Sequence, residues 1–480
     1  MPDRPRDGFA WERAARAATL GLLVLLVVYT AWYLLRYSDF SNDDLDNLVL
    51  MRHTGFWQFV LMPTDVHYVP LHRLLSWLVY HVDPMAFGVA VAVMLAFHVG
   101  TLVYLAASLR LLGLGKSGGL LVCGYAASGL VIYGLAWWAH AEHRVPYVFF
   151  DMCAIYHYLA WLKGGRSRHL WMAALAFVLA FGFYEKAVMI PLHMLVAGYL
   201  AGEQRFRERL LHHARPPTIA GGGIRYQYVL VYLLLHPGSA QASLAPALRA
   251  DLEFVKVLFA GASGIGVETA RDVPAHGWSW QLATMLAAGL AMLLWGVGRR
   301  RGGWKVLPAL LLVLMLDNLP IVMSNRIALF GLMSPHQYRF GYEELHLAVL
   351  FIGIWWARTA FVPTSATGRK VAWSAGFLAV LAFAGLNASD IRTSRHATWS
   401  NLWLMAESHA YLAHLRQGLA VIRNPRPVFE NAAVPGYLSI FRGTPDLRTL
   451  LPLFVPSVRF DSAAQARYRV LQNGQIVHVQ

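Results

Sequence analysis

Asp43, Asp44 and Asp46 fall within four positions of one another, in the stretch YSDFSNDDLDNLVL at 37–50. Just upstream, residues 17–35 carry no charged side chain. Neighbouring carboxylates repel, so setting them beside an apolar run is costly unless something uses them. A carboxylate facing an open cavity can take the proton of a hydroxyl group. Its neighbour can orient the acceptor or raise the first one's pKa.

Other ionisable groups recur in short polar breaks between apolar runs. PTDVHYVPLHRLL at 63–75 supplies Asp65, His67, His72 and Arg73, and WWAHAEHRVPYVFFD at 137–151 supplies His140, Glu142, His143, Arg144 and Asp151. GFYEKAVMIP at 182–191 holds Glu185 and Lys186, and MSPHQYRFGYEEL at 333–345 holds His336, Tyr338, Arg339, Glu343 and Glu344. Arginine can grip a phosphate through two parallel N–H bonds, and lysine binds it as a point charge. A group that leaves as a phosphate needs positive charge aimed at the oxygen where negative charge develops. Carboxylates and cations together therefore suit a site that holds a lipid-linked phosphate and activates an acceptor alcohol.

The same residues admit plainer roles. Acids favour the first turn of a helix, and Arg144 or Lys186 can anchor a chain at a headgroup layer, as interfacial cations do. Glu185 is an obvious salt-bridge partner for Lys186. Tyr338 and the Trp137-Trp138 pair read as an aromatic belt, and His98 and His157 as histidines satisfied inside a bundle.

The elements that must position these groups are membrane helices. Of 480 residues, 57% are hydrophobic and 14% charged, against about 25% charged in a soluble domain. Eleven apolar stretches are predicted to span: 17–36, 86–112, 119–138, 145–162, 170–184, 187–201, 223–236, 278–297, 306–323, 344–362 and 371–388. The first is too long for a signal peptide and lacks a small-residue cleavage pattern. A net charge of +15 does not point to nucleic acid here, because Arg and Lys cluster in alternate short loops. That alternation predicts a cytoplasmic N-terminus in a multi-pass cell-membrane protein. It puts the 38–84 loop, the 237–277 loop and the tail outside. Residues 243–260 have helical periodicity suited to an interface.

Residues 1–388 thus read as an all-α membrane module and 389–480 as a small extracytoplasmic α+β domain, ending in a hairpin that turns at Asn473-Gly474. Two cysteines, Cys123 and Cys153, lie in apolar runs and form neither a disulfide framework nor a zinc site.

In their order, these pieces resemble the GT-C superfamily of polyprenol- or dolichol-phosphate-sugar glycosyltransferases, nearest to the protein O-mannosyltransferase and TMTC-like branch. The resemblance rests on NDD at 42–44, DVHYVPLHRLL at 65–75, HRVPYVFFD at 143–151, YEKAVMIP at 184–191 and YRF at 338–340, and is densest over 15–200. Departures are Asp44 where the family has Glu, a Pro-Pro interrupted by other residues, and Glu185-Lys186 in reversed order. The resemblance implies Asp43 as catalytic base, with Asp44 supporting or replacing it. It implies Asp65 and His67 on the acceptor side, and Arg144, Lys186 and Arg339, with Tyr338, on the donor phosphate. It implies direct displacement at the anomeric carbon with inversion. The expected acceptor is an envelope glycan, lipid or protein.

No cofactor is implied. A divalent metal on Asp43, Asp44 and His67 is chemically allowed, since carboxylate and imidazole are good ligands, but many members of the resembled family work without one. Two other classes stay open: a transporter or flippase for a lipid-linked or anionic substrate, kept alive by Asp151, Asp317 and Asn318 within spans, and a non-catalytic scaffold recruiting envelope enzymes.

Overall fold

The computed structural model describes residues 6–63, 68–202, 244–263, 280–298, 302–322, 337–359, 365–398, 400–438, 446–462 and 465–479. Asp65, His67 and the expected span at 223–236 lie outside them. The described chain is overwhelmingly helical with one small sheet, which agrees with an all-α protein carrying a minor α+β part.

Helix α1 (Arg6–Tyr37) leads into three short helices, α2 (Asp43–His53), α3 (Phe56–Leu61) and α4 (Pro70–Val82). Long α5 (Phe87–Leu111) follows, then α6 (Gly115–Ala127), α7 (Gly129–Leu135) and α8 (Trp138–Gly164). Gly165, in the left-handed region at φ 72°, ends α8 and turns the chain into antiparallel α9 (Ser167–Phe183). A 3-10 turn at Glu185–Met189 precedes α10 (Ile190–Ala201). Beyond the undescribed stretch come α11 (Leu244–Ser263), α12 (Trp280–Gly298), α13 (Val306–Val322) and α14 (Tyr342–Thr359). The chain then forms α15 (Ala366–Ser394) and α16 (Asn401–Val421).

Eleven independent spans are not what the helices support. Among the described residues three are long and apolar enough to cross a bilayer: Ala10–Tyr37, Phe87–Leu111 and Ala366–Ser394. A fourth is possible if α6 and α7, bent by 51° at Ser128, act as one. The shortfall has two physical causes. Several expected spans are too short, since α9 has 17 residues and α10 has 12, where about 20 are needed. Others are long enough but carry ionisable groups on a buried face: α8 holds His140, Glu142, Arg144 and Asp151, and α14 holds Glu343, Glu344 and His346. The apolar helices remain those of a membrane-associated protein.

Within the first loop, α4 buries His72, Arg73, Ser76 and Val79, a stripe at helical spacing. It turns Leu78 and Val82 outward, more than half exposed. Polar groups point in and apolar groups out, the reverse of a water-soluble surface helix.

At the other end, α16 packs against α1. The guanidinium of Arg416 grips Asp39 with both nitrogens, at 2.5 and 2.9 Å, and also donates to the Met85 carbonyl. The sheet runs β2-β1-β3-β4, with β1 (Val428–Glu430) parallel to both β2 (Arg459–Asp461) and β3 (Tyr468–Val470). Strand β4 (Ile476–His478) pairs antiparallel with β3, and Gly474 takes the positive φ (85°) that the Asn-Gly turn requires. The hairpin is as the residues predict; the parallel pairs are not announced by them.

Close helix contacts depend on two kinds of glycine. A Cβ on Gly134 of α7 would enter the root of the Tyr342 ring, whereas one on Gly124 of α6 would meet nothing within 4 Å. Gly134→Ala is expected to lower the thermal unfolding midpoint in detergent, at about 1–3 kcal/mol for overpacking. Gly124→Ala should raise it slightly, by about 0.5–1 kcal/mol from helix propensity. Equal shifts in the two variants would contradict the packing of α7 on α14.

Candidate functional site

The site begins where two helices start together. The backbone N–H of Ser41 donates to Asp44 Oδ2 at 2.8 Å, while the Ser41 carbonyl accepts from the Asp44 N–H. This reciprocal bond fixes the first turn of α2. The other oxygen, Asp44 Oδ1, accepts from the N–H of Ala139 in the first turn of α8, at 2.5 Å. One carboxylate therefore caps two helices, at the positive end of α8's dipole. The Trp137 indole donates to the Ser41 carbonyl at 3.3 Å and completes the joint.

Asp44 is buried (1% exposed) and its carboxyl is held well above the ordinary range. Desolvation is the main cause. The two backbone donors oppose it, and the nearby charges of Glu142 and Asp43 add to it. Asp43, next to it, is half-buried. The pair thus splits into a sealed carboxyl and a more accessible one, the arrangement in which one proton can be shared unequally.

Behind Asp44 lies Glu142, one turn into α8. It bonds His72 Nε2 at 2.5 Å and accepts from the Ser76 hydroxyl, both on α4. Here the inward stripe of α4 finds its partner.

The cations follow on from this joint. Arg339, in a 3-10 turn (Tyr338–Gly341) before α14, places its guanidinium 4.4 Å from the Trp137 ring centre. His140 Nε2 lies 3.1 Å from the Arg339 carbonyl and must donate its proton there, leaving Nδ1 as acceptor for Arg144. His140 is pushed well below the usual histidine range, first by burial and then by Arg144 and Arg339. It is a neutral spacer between two guanidinium groups. Arg144 also touches the Tyr184 hydroxyl at 3.3 Å and pairs with Glu343.

Lys186 closes the series. It lies 2.7 Å from Asp317, 3.2 Å from Glu343 and 3.4 Å from Glu344. Its adjacent Glu185 is not the partner: that carboxylate accepts instead from the Tyr68 N–H at 2.9 Å. Still deeper, His193 of α10 faces Asp151 through Nδ1 (2.9 Å) and Asp317 through Nε2 (3.2 Å). His346 Nε2 meets the same Asp151 oxygen at 2.8 Å.

Contacts therefore run without a break from Asp44, by way of Trp137, Arg339 and His140, to Arg144, Glu343 and Lys186. Arg144 and Lys186 are buried in ion pairs and are not headgroup anchors. Trp137 and Trp138 are buried as well, so they serve as joint and stacking platform, not as a belt. Tyr338 is likewise buried, edge-on to Tyr133 at 5.1 Å. His98 is buried and finds a partner inside the bundle in the Tyr342 hydroxyl (3.4 Å), whereas His157 is only half-buried and meets His169 (2.9 Å).

Residue spacing alone misses Asp39, His193 and His346. His193 and His346 sit singly in apolar helices, and only their three-dimensional pairing with Asp151 sets them apart. Among the described residues no group of three or more ligating side chains could hold a metal ion. No protein-family model matches the sequence, and no curated protein does so.

Removing a buried acceptor orphans its donors, at about 1–3 kcal/mol each. Asp44→Ala, which strands the Ser41 and Ala139 N–H groups, should therefore lower the unfolding midpoint in detergent far more than Asp43→Ala. The raised Asp44 carboxyl holds its proton more tightly in the folded chain than in the unfolded one. Its contribution to stability is then fullest below about pH 4 and is lost as pH rises through the elevated value. The stability difference between the protein and Asp44→Asn should shift in that direction across a pH series. A pH-independent difference would contradict the assignment.

Proposed function

We propose that the protein is an integral membrane glycosyltransferase that moves one sugar from a polyprenyl-phosphate donor to a cell-envelope glycan, lipid or protein. The observation that carries this reading is the continuity of the site. A carboxylate pair at the start of α2 is linked to three cationic side chains on separate elements through direct contacts, with Trp137, Ala139 and His140 as the intermediates. The resemblance of these residues and their order to the GT-C superfamily points the same way.

In this reading Asp43, the more accessible acid, takes the proton from the acceptor hydroxyl. The acceptor oxygen forms its bond to the anomeric carbon as the bond from that carbon to the phosphate oxygen breaks. The electron pair leaves with the polyprenyl phosphate, and the displacement inverts the configuration. Asp44 sets the position of Asp43 by pinning the first turn of α2 to α8. Its burial and its closeness also discourage both acids from ionising together, which favours one proton shared by the pair. Half-buried Arg339 is the first contact for the donor phosphate. Arg144 and Lys186 supply positive charge beneath it. Glu343 keeps those two cations apart and oriented until an anion arrives.

Apolar side chains on the first loop support access from lipid. Trp57 and Leu61 of α3 are at least half exposed, like Leu78 and Val82 of α4. Short helices with greasy outer faces suit a position flat on a bilayer, where a lipid donor can slide beneath them. Remote contacts to the lipid chain then hold the phosphate in register.

A second reading is a transporter or flippase for a lipid-linked or anionic substrate. It is favoured by one observation, the array of Asp151, His193, His346 and Asp317 buried between α8, α10, α13 and α14. Ionisable groups buried so deeply often mark a path for ions or protons.

The two readings separate in one experiment on purified protein in nanodiscs and vesicles, with a panel of polyprenyl-phosphate sugars. Glycosidic bond formation, or donor hydrolysis, that falls at least about a hundred-fold in Asp43→Asn supports the transferase. Substrate crossing the vesicle membrane with no bond formed supports the transporter and overturns the transferase.

A further inference from the structure

Asn42, the residue before the acid pair, has φ 48° and ψ −118°. It is the one non-glycine residue with positive φ among the described residues. Those angles belong to the first central position of a type II′ turn. The turn's closing bond, from the Asp44 N–H to the Ser41 carbonyl, is present at 3.0 Å. Glycine is favoured at that position because a Cβ crowds the backbone at positive φ. Asp43 takes the second central position, so this turn carries the accessible carboxylate.

The groups that hold the turn come from the far end of the chain. The Asn42 N–H donates to the Leu438 carbonyl at 3.0 Å. The Ser41 hydroxyl donates to the Tyr437 carbonyl at 3.3 Å and accepts from the Ser408 hydroxyl of α16 at 2.9 Å. Just upstream, the Ser38 carbonyl accepts from His409 Nδ1 at 3.1 Å, and Asp39 is the carboxylate gripped by Arg416. Beyond the pair, Arg52 of α2 donates to the Pro452 carbonyl. Ser38, Asp39, Ser41 and Asn42 are at most 2% exposed, and residues 38–42 belong to no helix or strand. Buried backbone of that kind must find its hydrogen bonds elsewhere in the chain, and here it finds them on α16 and the segment after β1.

We propose that the C-terminal segment is a working part of the acid site. Ser408 and the Leu438 carbonyl are positioning groups that clamp the Ser41–Asp44 turn in its glycine-like form and so present Asp43. The effect on turnover rests on the reading of Asp43 as the base; the clamp itself does not. Displacing a reacting group by about 1 Å can cost about a hundred-fold in rate. Loosening the clamp therefore acts on kcat, while donor binding falls to Arg339, Arg144 and Lys186.

Hydrogen exchange of the full-length protein in detergent, read on the peptide 38–45, reports the turn through the amides of Ser41, Asn42 and Asp44. Ser408→Ala is expected to speed that exchange about ten-fold and to leave the middle of α5 unmoved. In nanodiscs it should lower kcat for sugar transfer at least about ten-fold, with KM for the polyprenyl-phosphate sugar unchanged. Should that variant not fold, Ser41→Ala cuts the same contact from the other side. Asn42→Ala and Asn42→Gly both remove the side-chain amide and differ only in the Cβ. Exchange at least about five-fold faster in the alanine variant is the mark of the strained turn. Unchanged exchange in a folded Ser408→Ala, or equal exchange in the two Asn42 variants, overturns the clamp. Faster exchange with kcat unaltered overturns the link to Asp43 and leaves the transferase standing. The expected exchange shifts, with no sugar transfer by the unsubstituted protein, overturn the transferase and leave the clamp standing.

Discussion

Glu343 lies between two cations that water does not reach, with Arg144 on one oxygen and Lys186 on the other. The three residues come from α8, from the turn between α9 and α10, and from α14. That single carboxylate therefore sets the relative position of elements far apart in the chain. A buried pair of this kind adds little net stability, because desolvation consumes most of the attraction. Removing one partner is another matter, since it strands a charge at about 3–5 kcal/mol. The bundle is thus tolerant of few arrangements at this level, and the ion pairs act as a register for the helices more than as their cement.

The register passes outward through neutral and aromatic groups. His140 stays uncharged between two guanidinium groups, so it can accept from Arg144 while donating to the Arg339 carbonyl. Arg339 rests on the Trp137 ring, and the Trp137 indole and the Ala139 N–H hold the start of α2. A cation over an aromatic face is attracted by the ring's negative face. Arg144 and Lys186 are matched with carboxylates. The three cations expected from the residues to act alike are therefore unlike in kind. One is stacked on an aromatic ring, and two are held among carboxylates.

Much of this frame was legible in the order of residues, and its limits follow from what order can carry. Local features were readable: the acid pair at the start of a short helix, the Asn-Gly hairpin, the helical face of 243–260. Each depends on neighbours within a few positions. Pairings were not readable, because Lys186 meets Glu343 157 positions away and Arg416 meets Asp39 377 positions away. Nearness in the chain made Glu185 look like the partner of Lys186, and tertiary contact overrode it. The count of spans failed for a related reason. Hydropathy treats an apolar run as lipid-facing, but α8 is apolar because it is surrounded by protein, and the same burial lets it carry Arg144 and Asp151.

The carboxylates that engage Arg144 and Lys186 bear on both functional readings. A site built only to hold a phosphate would gain by leaving its arginine and lysine unopposed. Among the described residues both are engaged by carboxylates, so an incoming anion must compete for them. Such competition makes resting affinity lower than the cations alone would give. For a transferase that is useful after the sugar has moved, since the phosphate left behind carries more charge than the donor did and must depart. For a transporter the same competition would favour release. Electrostatics of the cluster alone serves either; the carboxylate pair joined to its rim is the feature that only the transferase needs.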